Sequence, residues 1–156
     1  MRDIFPSNFY SDGVSSSYIA VENRILGLSR LRQVRVKRDS CVVPEDFRQE
    51  IRFCYADWAS STEDTEAYGP YVSQNATNDT AWFYRTDKQL KGSEHVGLMN
   101  EYGGGGYAVD LSSQKDETEL LMNELFDNLW IDRGTRAVFF DFTVYNANIN
   151  LFCQVR

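Results

Sequence analysis

Histidine, cysteine and acidic residues are the side chains through which this chain could catalyse a reaction or hold a metal. His95 is the single histidine in 156 residues, so a histidine-based triad or dyad would have to include it, and no nucleophile-elbow motif accompanies it. Metal motifs built on two histidines are ruled out, and the cysteines lack zinc-site spacing. Glu63 and Asp64 suit Ca²⁺ chemically, but no EF-hand pattern surrounds them. We therefore expect no catalytic residue, no metal site, no cofactor and no enzymatic activity.

Cys41 and Cys54 lie thirteen residues apart, on either side of a predicted helix. In an oxidising compartment they would form a disulfide between the approach to the helix and its last turn. In a reducing compartment they would be two buried free thiols, and the residues alone leave both alternatives open. The third cysteine, Cys153, lies on the apolar face of the last predicted strand, which predicts a buried and unreactive thiol.

Two neighbouring acceptor patterns for N-linked glycans stand in one polar stretch. They are Asn75-Ala76-Thr77 and Asn78-Asp79-Thr80, and each has the Asn-X-Thr form. Their clustering favours a surface loop in a secretory compartment. Asn75 and Asn78 are so close that crowding can leave one of them without a glycan.

The composition is that of a folded domain. Hydrophobic residues make up 42% of the chain and aromatic residues 14%, which argues against disorder. The formal net charge of −7 and the pI near 4.7 argue against nucleic acid or an anionic membrane as a partner. No run of residues approaches the roughly 18 to 20 apolar positions of a membrane span, and Met1 to Asn8 lack the apolar core of a signal peptide.

Two segments have the spacing of helices. Pro44, Glu45 and Asp46 suit a first helical turn, and apolar residues then recur on one face up to Tyr55. Leucines four residues apart predict a second helix from about Lys115 to Asn128, with Leu129, Met122 and Phe126 along or beside its apolar face. The apolar residues of both helices are Phe47, Ile51, Cys54, Tyr55, Leu121 and Leu125.

Four segments have the pattern of strands. Arg30 to Arg38 alternates basic and apolar residues, which predicts one solvated face or, alternatively, a face that pairs with acidic groups of a neighbour. Short strands are predicted at Trp82–Tyr84 and, after the glycines of 103–106, at Tyr107–Leu111. From Arg136 the chain is rich in β-branched and aromatic residues. Its alternation reverses near Tyr145, which requires a bulge, a turn or a crossing to another surface.

These elements predict an α+β fold, an antiparallel β-sheet packed against a few α-helices with a long loop region. We expect an N-terminal loop segment over residues 1–18 and one domain over residues 19–156. The predicted last strand reaches Arg156 without a turn or cap, which we interpret as a truncated end.

The long segment between the first helix and the Trp82 strand is the predicted association surface. It has no sustained periodicity, yet it is rich in aromatic residues, which serve as anchors at protein interfaces. The alternative for Trp82 is a place in the chain's own core. The predicted interface residues are Trp58, Tyr68, Tyr71, Trp82 and Tyr84.

Separated blocks of the sequence resemble the extracellular domain of the polycystin family. The run from Trp130 to Arg136 is similar to the family's Trp-Leu-Asp-Arg-Gly-Thr-Arg, and the run from Asp141 to Phe152 resembles the end of that domain. Further blocks in the same order cover 25–36, 39–43, 46–48 and 102–107, so the resemblance extends from about Ile19 to Arg156. Ser29 and Val96 depart from the pattern of polycystin-2-type channels, which leaves a polycystin-1-like subunit as an alternative.

The resemblance carries expectations about structure and function. It implies that Cys41 and Cys54 form a disulfide, since polycystins bridge two cysteines at this spacing. It also implies a subunit of a transient-receptor-potential cation channel. The domain of this subunit would lie on the extracellular side of a plasma or ciliary membrane, or in the ER lumen. Four polycystin subunits, alike or mixed, would form a lid over the pore. The alternative is a secreted or cell-surface binding module with no channel role.

Overall fold

A computed structural model describes residues 18–19, 22–70, 72, 80–98 and 100–156. These residues form eight strands, two α-helices and one short 3-10 helix at Glu45–Phe47. The strands are β1 (Tyr18–Ile19), β2 (Asn23–Arg35), β3 (Tyr84–Arg85), β4 (His95–Val96), β5 (Glu101–Tyr102), β6 (Gly106–Asp110), β7 (Thr135–Asn146) and β8 (Leu151–Val155). The helices are α1 (Asp87–Leu90) and α2 (Lys115–Asp127).

Six of the strands form one sheet in the order β3-β6-β2-β7-β8, with β1 paired to β2. Strands β4 and β5 form a separate hairpin. Antiparallel pairing joins β3 to β6 and β7 to β8. The predicted α+β class, with an antiparallel sheet and two helices, is confirmed. Strand β2 lies in the middle of the sheet between β6 and β7, so it has a hydrogen-bonded neighbour along both edges.

The described chain divides into two compact units. The first comprises residues Met1–Leu31, Val109–Asp127 and Phe139–Arg156. In this unit α2 buries Thr118 and Leu125, and the Thr118 hydroxyl donates to the carbonyl oxygen of Ser112 at 2.9 Å. The hairpin of β7 and β8 is in register through pairs such as Val144 and Cys153.

The second unit comprises Arg32–Ala108 and Asn128–Val138. Its core combines aliphatic and aromatic side chains with polar ones that are equally buried. The fully buried side chains include Arg32, Gln33, Val34, Val36, Trp82 and Tyr107. Large aromatic side chains dominate such a core because each removes a large apolar area from water.

The predicted helix from Pro44 to Tyr55 is wrong. The structure has only the 3-10 helix Glu45–Phe47, a turn over 48–50, and irregular backbone beyond it. Phe47 and Ile51 are 52% and 43% exposed, so the helical spacing has no core to face. An isolated helix of this length is marginal in water without tertiary packing.

The second predicted helix is confirmed as α2, but its apolar face is narrower than predicted. Leu125 is buried, whereas Phe126 is 73% exposed and Leu129 is 70% exposed. Leu129 adopts a positive φ of 56°, so the backbone has already left the helix there. Leu129 therefore does not continue the stripe that its spacing suggested.

A bulge, a turn or a crossing was predicted near Tyr145, and the structure has the turn, since residues 147–150 connect β7 to β8. The prediction of a buried thiol at Cys153 is wrong, because Cys153 is free and exposed. Strand β8 lies at the edge of the sheet, and most of its side chains are exposed.

Neither helix in the described part of the chain is long and apolar enough to cross a membrane. Nearly all of the predicted N-terminal segment, 1–18, lies outside the described residues.

Candidate functional site

The buried part of β2 is where the structure departs furthest from the sequence prediction. Arg32, Gln33 and Arg35 are 2%, 0% and 5% exposed, so the expectation of a solvated basic face is wrong for this stretch. Consecutive residues from Arg32 to Val36 are buried, so both faces of this part of β2 are covered. Buried charges persist only when they are paired and hydrogen-bonded, and the partners of Arg35 define the site.

Arg35 has a carboxylate partner and two aromatic neighbours. Its two terminal nitrogens donate to the two carboxylate oxygens of Asp132 at 2.8 Å and 2.9 Å, a bidentate geometry that only arginine provides. The guanidinium carbon lies 3.7 Å from the centroid of the Tyr68 ring and 5.9 Å from that of Tyr107. Burial lowers the pKa of Arg35, but the hydrogen bond to Asp132 and the neighbouring charges together outweigh it, and the pKa ends above its ordinary value. Arg35 is thus a fixed cation.

The turn that follows Trp130 positions Asp132 for this role. The Gly134 N–H donates to Asp132 Oδ1 at 2.8 Å, and the Asp132 N–H donates to the Thr135 hydroxyl at 3.1 Å. The Val36 N–H donates to the Gly134 carbonyl at 2.9 Å, which ties the turn to the end of β2. A Cβ atom on Gly134 would stand 3.1 Å from a terminal nitrogen of Arg35, so glycine leaves the room that the arginine occupies.

Gln33 connects the same turn to the loop that carries Tyr68. Its amide nitrogen donates to the Tyr68 hydroxyl at 2.5 Å and to the Trp130 carbonyl at 2.6 Å. The Tyr68 hydroxyl in turn donates to the Trp130 carbonyl at 2.8 Å, and the Thr135 hydroxyl donates to Gln33 Oε1 at 2.8 Å. The side-chain oxygen and nitrogen of Gln33 both have partners, as a fully buried amide requires.

We call this group the arginine–tyrosine cluster and define it by Gln33, Arg35, Tyr68, Tyr107 and Asp132. Its tyrosines are held by ring contacts as well as hydrogen bonds. The Tyr68 and Tyr107 rings meet edge to face at 5.0 Å, and the Tyr107 hydroxyl donates to the Glu66 carbonyl at 2.6 Å. Burial is the first cause that raises the pKa of Tyr68 and of Tyr107 above the ordinary tyrosine range.

The cluster holds two described parts of the segment predicted to be an association surface, one around Tyr68 and one around Trp82. The Tyr68 N–H donates to the Trp82 carbonyl at 3.2 Å, and the two rings meet edge to face at 5.1 Å. The Trp130 indole nitrogen donates to the Ala81 carbonyl at 2.8 Å. Gly69 has a φ of 83°, and a Cβ there would overlap the Trp82 ring. The parts of the segment around Tyr68 and around Trp82 are therefore held by the core of the second unit.

The four predicted interface residues that the structure describes do not form one exposed surface. Trp58 and Trp82 are 7% and 1% exposed, so they fill the chain's own core and leave little area for a partner. Tyr68 and Tyr84 are half-buried, and each hydroxyl is hydrogen-bonded within the chain. Tyr71 lies outside the described residues, whereas the neighbouring Val72 is 52% exposed.

Glu63 and Tyr84 form a second, smaller contact. The Tyr84 hydroxyl donates to Glu63 Oε1 at 3.1 Å, and Glu63 lies opposite Val36 in an isolated β-bridge. Burial, reinforced by the charge of Glu63, raises the pKa of Tyr84 to about 12. Burial also raises the pKa of Glu63, although Tyr84, Arg32 and Lys37 oppose the shift. Within the described ranges, no group of three His, Cys, Asp or Glu side chains is placed to hold a metal ion.

Cys41 and Cys54 form a disulfide, with their Cα atoms 5.6 Å apart. The residues that flank the ring closed by this disulfide are also joined, because the Ala56 N–H donates to the Ser40 hydroxyl at 2.9 Å. The guanidinium of Arg38 lies 3.2 Å from the centroid of the Phe53 ring. Asn75 and Asn78, the predicted glycan acceptors, lie outside the described residues.

The sequence did not predict four residues of this cluster, which are Gln33, Arg35, Tyr107 and Asp132. In the sequence the turn from Trp130 to Arg136 stands out only by its resemblance, whereas its physical role is to present Asp132 to Arg35. The sequence carries no local signal for this burial. A strand covered on both faces is typically a continuous apolar run, whereas the stretch from Leu31 to Val36 contains two arginines and a glutamine.

Comparison with known proteins gives a consistent result. A family model described as the polycystin domain matches residues 3–156. Polycystin-2-like protein 1 of Homo sapiens is 46% identical over 142 residues, which are 91% of this chain and 17% of that protein. Polycystin-2 of Danio rerio is also 46% identical over 142 residues, 91% of this chain and 15% of that protein. Polycystin-1-like protein 3 of Mus musculus is 32% identical over 135 residues, 84% of this chain and 6% of that protein. The chain thus spans less than a fifth of the length of these relatives.

Proposed function

This chain belongs to the polycystin domain family, and from that premise we propose that it is the extracellular or luminal domain of a polycystin-type cation channel subunit. In this proposal four subunits, alike or mixed, associate so that their domains form a lid over the pore and contribute to assembly and gating. The partners are other polycystin subunits. The domain works by association and has no catalytic step.

The observation that carries the proposal is the match to polycystins over nearly the whole chain. The family model covers residues 3–156, and the identity of 46% to two polycystin-2-type relatives extends over 91% of the chain. The identity to Polycystin-1-like protein 3 is lower, at 32%. This difference favours a polycystin-2-like subunit over a polycystin-1-like one.

The described parts of the segment from Trp58 to Tyr84 support association as its role. Tyr68 and the Ala81–Trp82 backbone are hydrogen-bonded to each other and to Trp130, so these parts need little further ordering on binding. A surface ordered in advance binds more tightly because less conformational entropy is lost on binding. In the proposed assembly the contacts come from Tyr71 and Val72, whereas Trp58 and Trp82 support them from the core.

The disulfide supports an oxidising compartment for this domain. Disulfides persist on the cell surface and in the ER lumen and are rare in the cytosol. The two glycan acceptors, Asn75 and Asn78, agree with the same side of the membrane. We accordingly place the domain on the outer face of a plasma or ciliary membrane, or in the ER lumen, with N-linked glycans on this stretch.

Expression of the full-length protein in a secretory host tests the proposal. An epitope placed before Tyr18 should be reached by antibody without permeabilisation of surface-delivered protein, and glycosidase should increase gel mobility in wild type but not in the Asn75→Gln/Asn78→Gln variant. Cation currents should accompany surface delivery. Release of the protein into the medium without membrane association would instead favour a secreted binding module.

A further inference from the structure

Strand β8 is the longer of the two edge strands of the large sheet. Within the described part of the chain no strand pairs with its outer side, and it has five residues where the other edge strand, β3, has two. Proteins commonly protect such edges with charged residues or proline. The run Leu151–Val155 contains neither, and Leu151 and Phe152 are 60% and 68% exposed. Strand β8 therefore offers a row of backbone donors and acceptors to a further strand.

One face of the sheet carries a row of alternating charges that reaches this edge. Arg30 of β2 donates to the two carboxylate oxygens of Asp110 at 2.5 Å and 3.0 Å. That hydrogen bond is the first cause that raises the pKa of Arg30, and the nearby charge of Asp141 on β7 adds to it. Asp141 Oδ1 in turn lies 3.5 Å from Nε of Arg156, which follows β8. From β6 to β8 the charges thus run acidic, basic, acidic, basic, and the row ends on a cation.

The pairing of β7 with β8 shows which strand β8 accepts on its inner side. Tyr145 lies opposite Phe152 in the register, and the two ring centroids are 4.7 Å apart. Asp141 contacts Arg156 in the same way. Alternate residues of a strand share one face of a sheet, so Asp141 and Tyr145 lie on the same face. A carboxylate with an aromatic ring four positions further along is therefore the complement of β8.

The start of β8 is already ordered by the turn before it. The Tyr145 hydroxyl donates to Asn150 Oδ1 at 3.0 Å, and the Asn148 N–H donates to Asn146 Oδ1 at 3.0 Å. The side-chain amide of Asn146 donates to Asn23 Oδ1 at 3.0 Å, which joins the turn to β2. An edge that is held extended in advance loses little conformational entropy when a strand is added to it.

We propose that β8 binds an extended peptide segment of a partner protein by strand addition, with a carboxylate of that segment beside Arg156 and an aromatic ring beside Phe152. Backbone hydrogen bonds supply the affinity, and the two side chains set the register. A second copy of β8 fits less well, because residues 151–155 contain no carboxylate to place beside Arg156. This inference is independent of the proposed function, which assigns subunit contacts to Tyr71 and Val72.

A fluorescein-labelled peptide that repeats residues 141–146, Asp-Phe-Thr-Val-Tyr-Asn, tests strand addition. Fluorescence anisotropy with the full-length protein should show saturable binding. Two control peptides carry N-methyl groups at alternate backbone nitrogens, so that one set faces β8 and the other faces away. Methylation of the facing set should weaken binding by about tenfold or more, whereas the other set should be tolerated. Any other pattern, including no binding of the unmodified peptide, would overturn strand addition.

A double-mutant cycle tests the contact with Arg156. Arg156→Gln should weaken binding of the peptide by about two- to fivefold. A peptide with asparagine in place of its aspartate should bind wild type more weakly by the same factor, with little further loss on the variant. Arg52→Gln removes an exposed arginine of the second unit and should leave binding unchanged. Independent, additive losses would overturn the assigned register.

Photo-crosslinking identifies the occupant in cells of the native host. Benzoylphenylalanine at Phe152 of the full-length protein should form adducts on another protein, within a segment that has a carboxylate and an aromatic ring four positions apart. The same probe at the exposed Leu120 on α2 should give no adduct on that segment. Adducts that join two β8 strands, adducts confined to the protein's own chain, or no adduct at all would overturn the assignment of a partner protein.

Discussion

The guanidinium carbon of Arg35 lies 3.7 Å from the centroid of the Tyr68 ring, although 33 positions separate the two residues in the chain. Arg35 belongs to the central strand β2, and Tyr68 belongs to the segment proposed to contact neighbouring subunits. Asp132 neutralises the arginine from a third part of the chain. Arg35 thus connects the sheet to the association segment and to the turn from Trp130 to Arg136, which resembles the polycystin motif.

Replacement of Arg35 should destabilise the second unit strongly. Arg35→Met leaves the Asp132 carboxylate without its cation, and the loss of one partner of a buried ion pair costs about 3 kcal/mol after allowance for the partial exposure of Asp132. Arg35→Lys keeps the charge but loses the fork, so a smaller loss of about 1–2 kcal/mol is expected. Urea denaturation of the isolated domain measures both. Lys88→Met, on an exposed face of α1, is the control and should change stability by under about 0.5 kcal/mol.

Two glycines with similar backbone angles provide a matched test of the packing around Trp82. Gly69 has a φ of 83° and Gly27 a φ of 74°, but a Cβ at Gly69 would overlap the Trp82 ring, while a Cβ at Gly27 meets nothing within 4 Å. Gly27→Ala should cost only the backbone strain of about 1–2 kcal/mol. Gly69→Ala adds overpacking of about 1–3 kcal/mol. Urea denaturation of both variants checks this, and equal losses of stability would show that Trp82 does not occupy this position.

The disulfide and the free thiol should respond differently to substitution. Cys41→Ser should lower the free energy of unfolding by about 2–5 kcal/mol, because it opens the ring between two cysteines thirteen positions apart. Cys153→Ser should be close to neutral, since Cys153 is exposed on the edge strand. Alkylation without reductant should label Cys153 alone. Labelling of Cys41 and Cys54 in protein from a secretory host would contradict the bridge.

Glu63 should make stability depend on pH with a defined sign. Burial raises the pKa of Glu63 in the folded state above its ordinary value of 4.5, so the protonated form is favoured by folding. The stabilisation is complete below the unfolded pKa and is lost as pH rises through the folded pKa. Glu63→Gln cannot ionise and keeps an acceptor for Tyr84, so it should be more stable than wild type at neutral pH. The free energies of unfolding of the variant and of wild type should be equal below about pH 4. Urea denaturation at neutral pH and below pH 4 checks this. A variant less stable than wild type at neutral pH would contradict the predicted direction of the effect.

The sequence predicted those elements whose signals are local. The alternation from Arg136 predicted the strand β7, and its reversal near Tyr145 predicted an interruption that the structure shows to be the turn before β8, because strand parity is set by neighbouring residues. The spacing of Leu121 and Leu125 predicted α2 for the same reason. The helix from Pro44 to Tyr55 failed because periodicity shows which side chains could face a core, not whether a core is there.

The arginine–tyrosine cluster was beyond local reasoning. Arg35 is bound by Tyr68 and Asp132, which lie 33 and 97 positions away along the chain, so nothing near Arg35 in the sequence indicates which partners cover it. Arginine is mostly exposed in proteins, and that general tendency gave the wrong result at the centre of a sheet. Trp82 was open to two interpretations, and its burial of all but 1% follows from the contacts with Tyr68 and Gly69.

The number of copies in the purified full-length protein tests the central claim most directly. Mass photometry of wild type in detergent should show four copies, and the pair Tyr71→Ala/Val72→Asp should reduce the tetramer while the isolated domain keeps its wild-type stability. Glu119→Ala on the exposed face of α2 should leave the copy number unchanged. A wild-type protein found only as a monomer would contradict the account, and so would a Tyr71/Val72 variant with unaltered assembly and unaltered current.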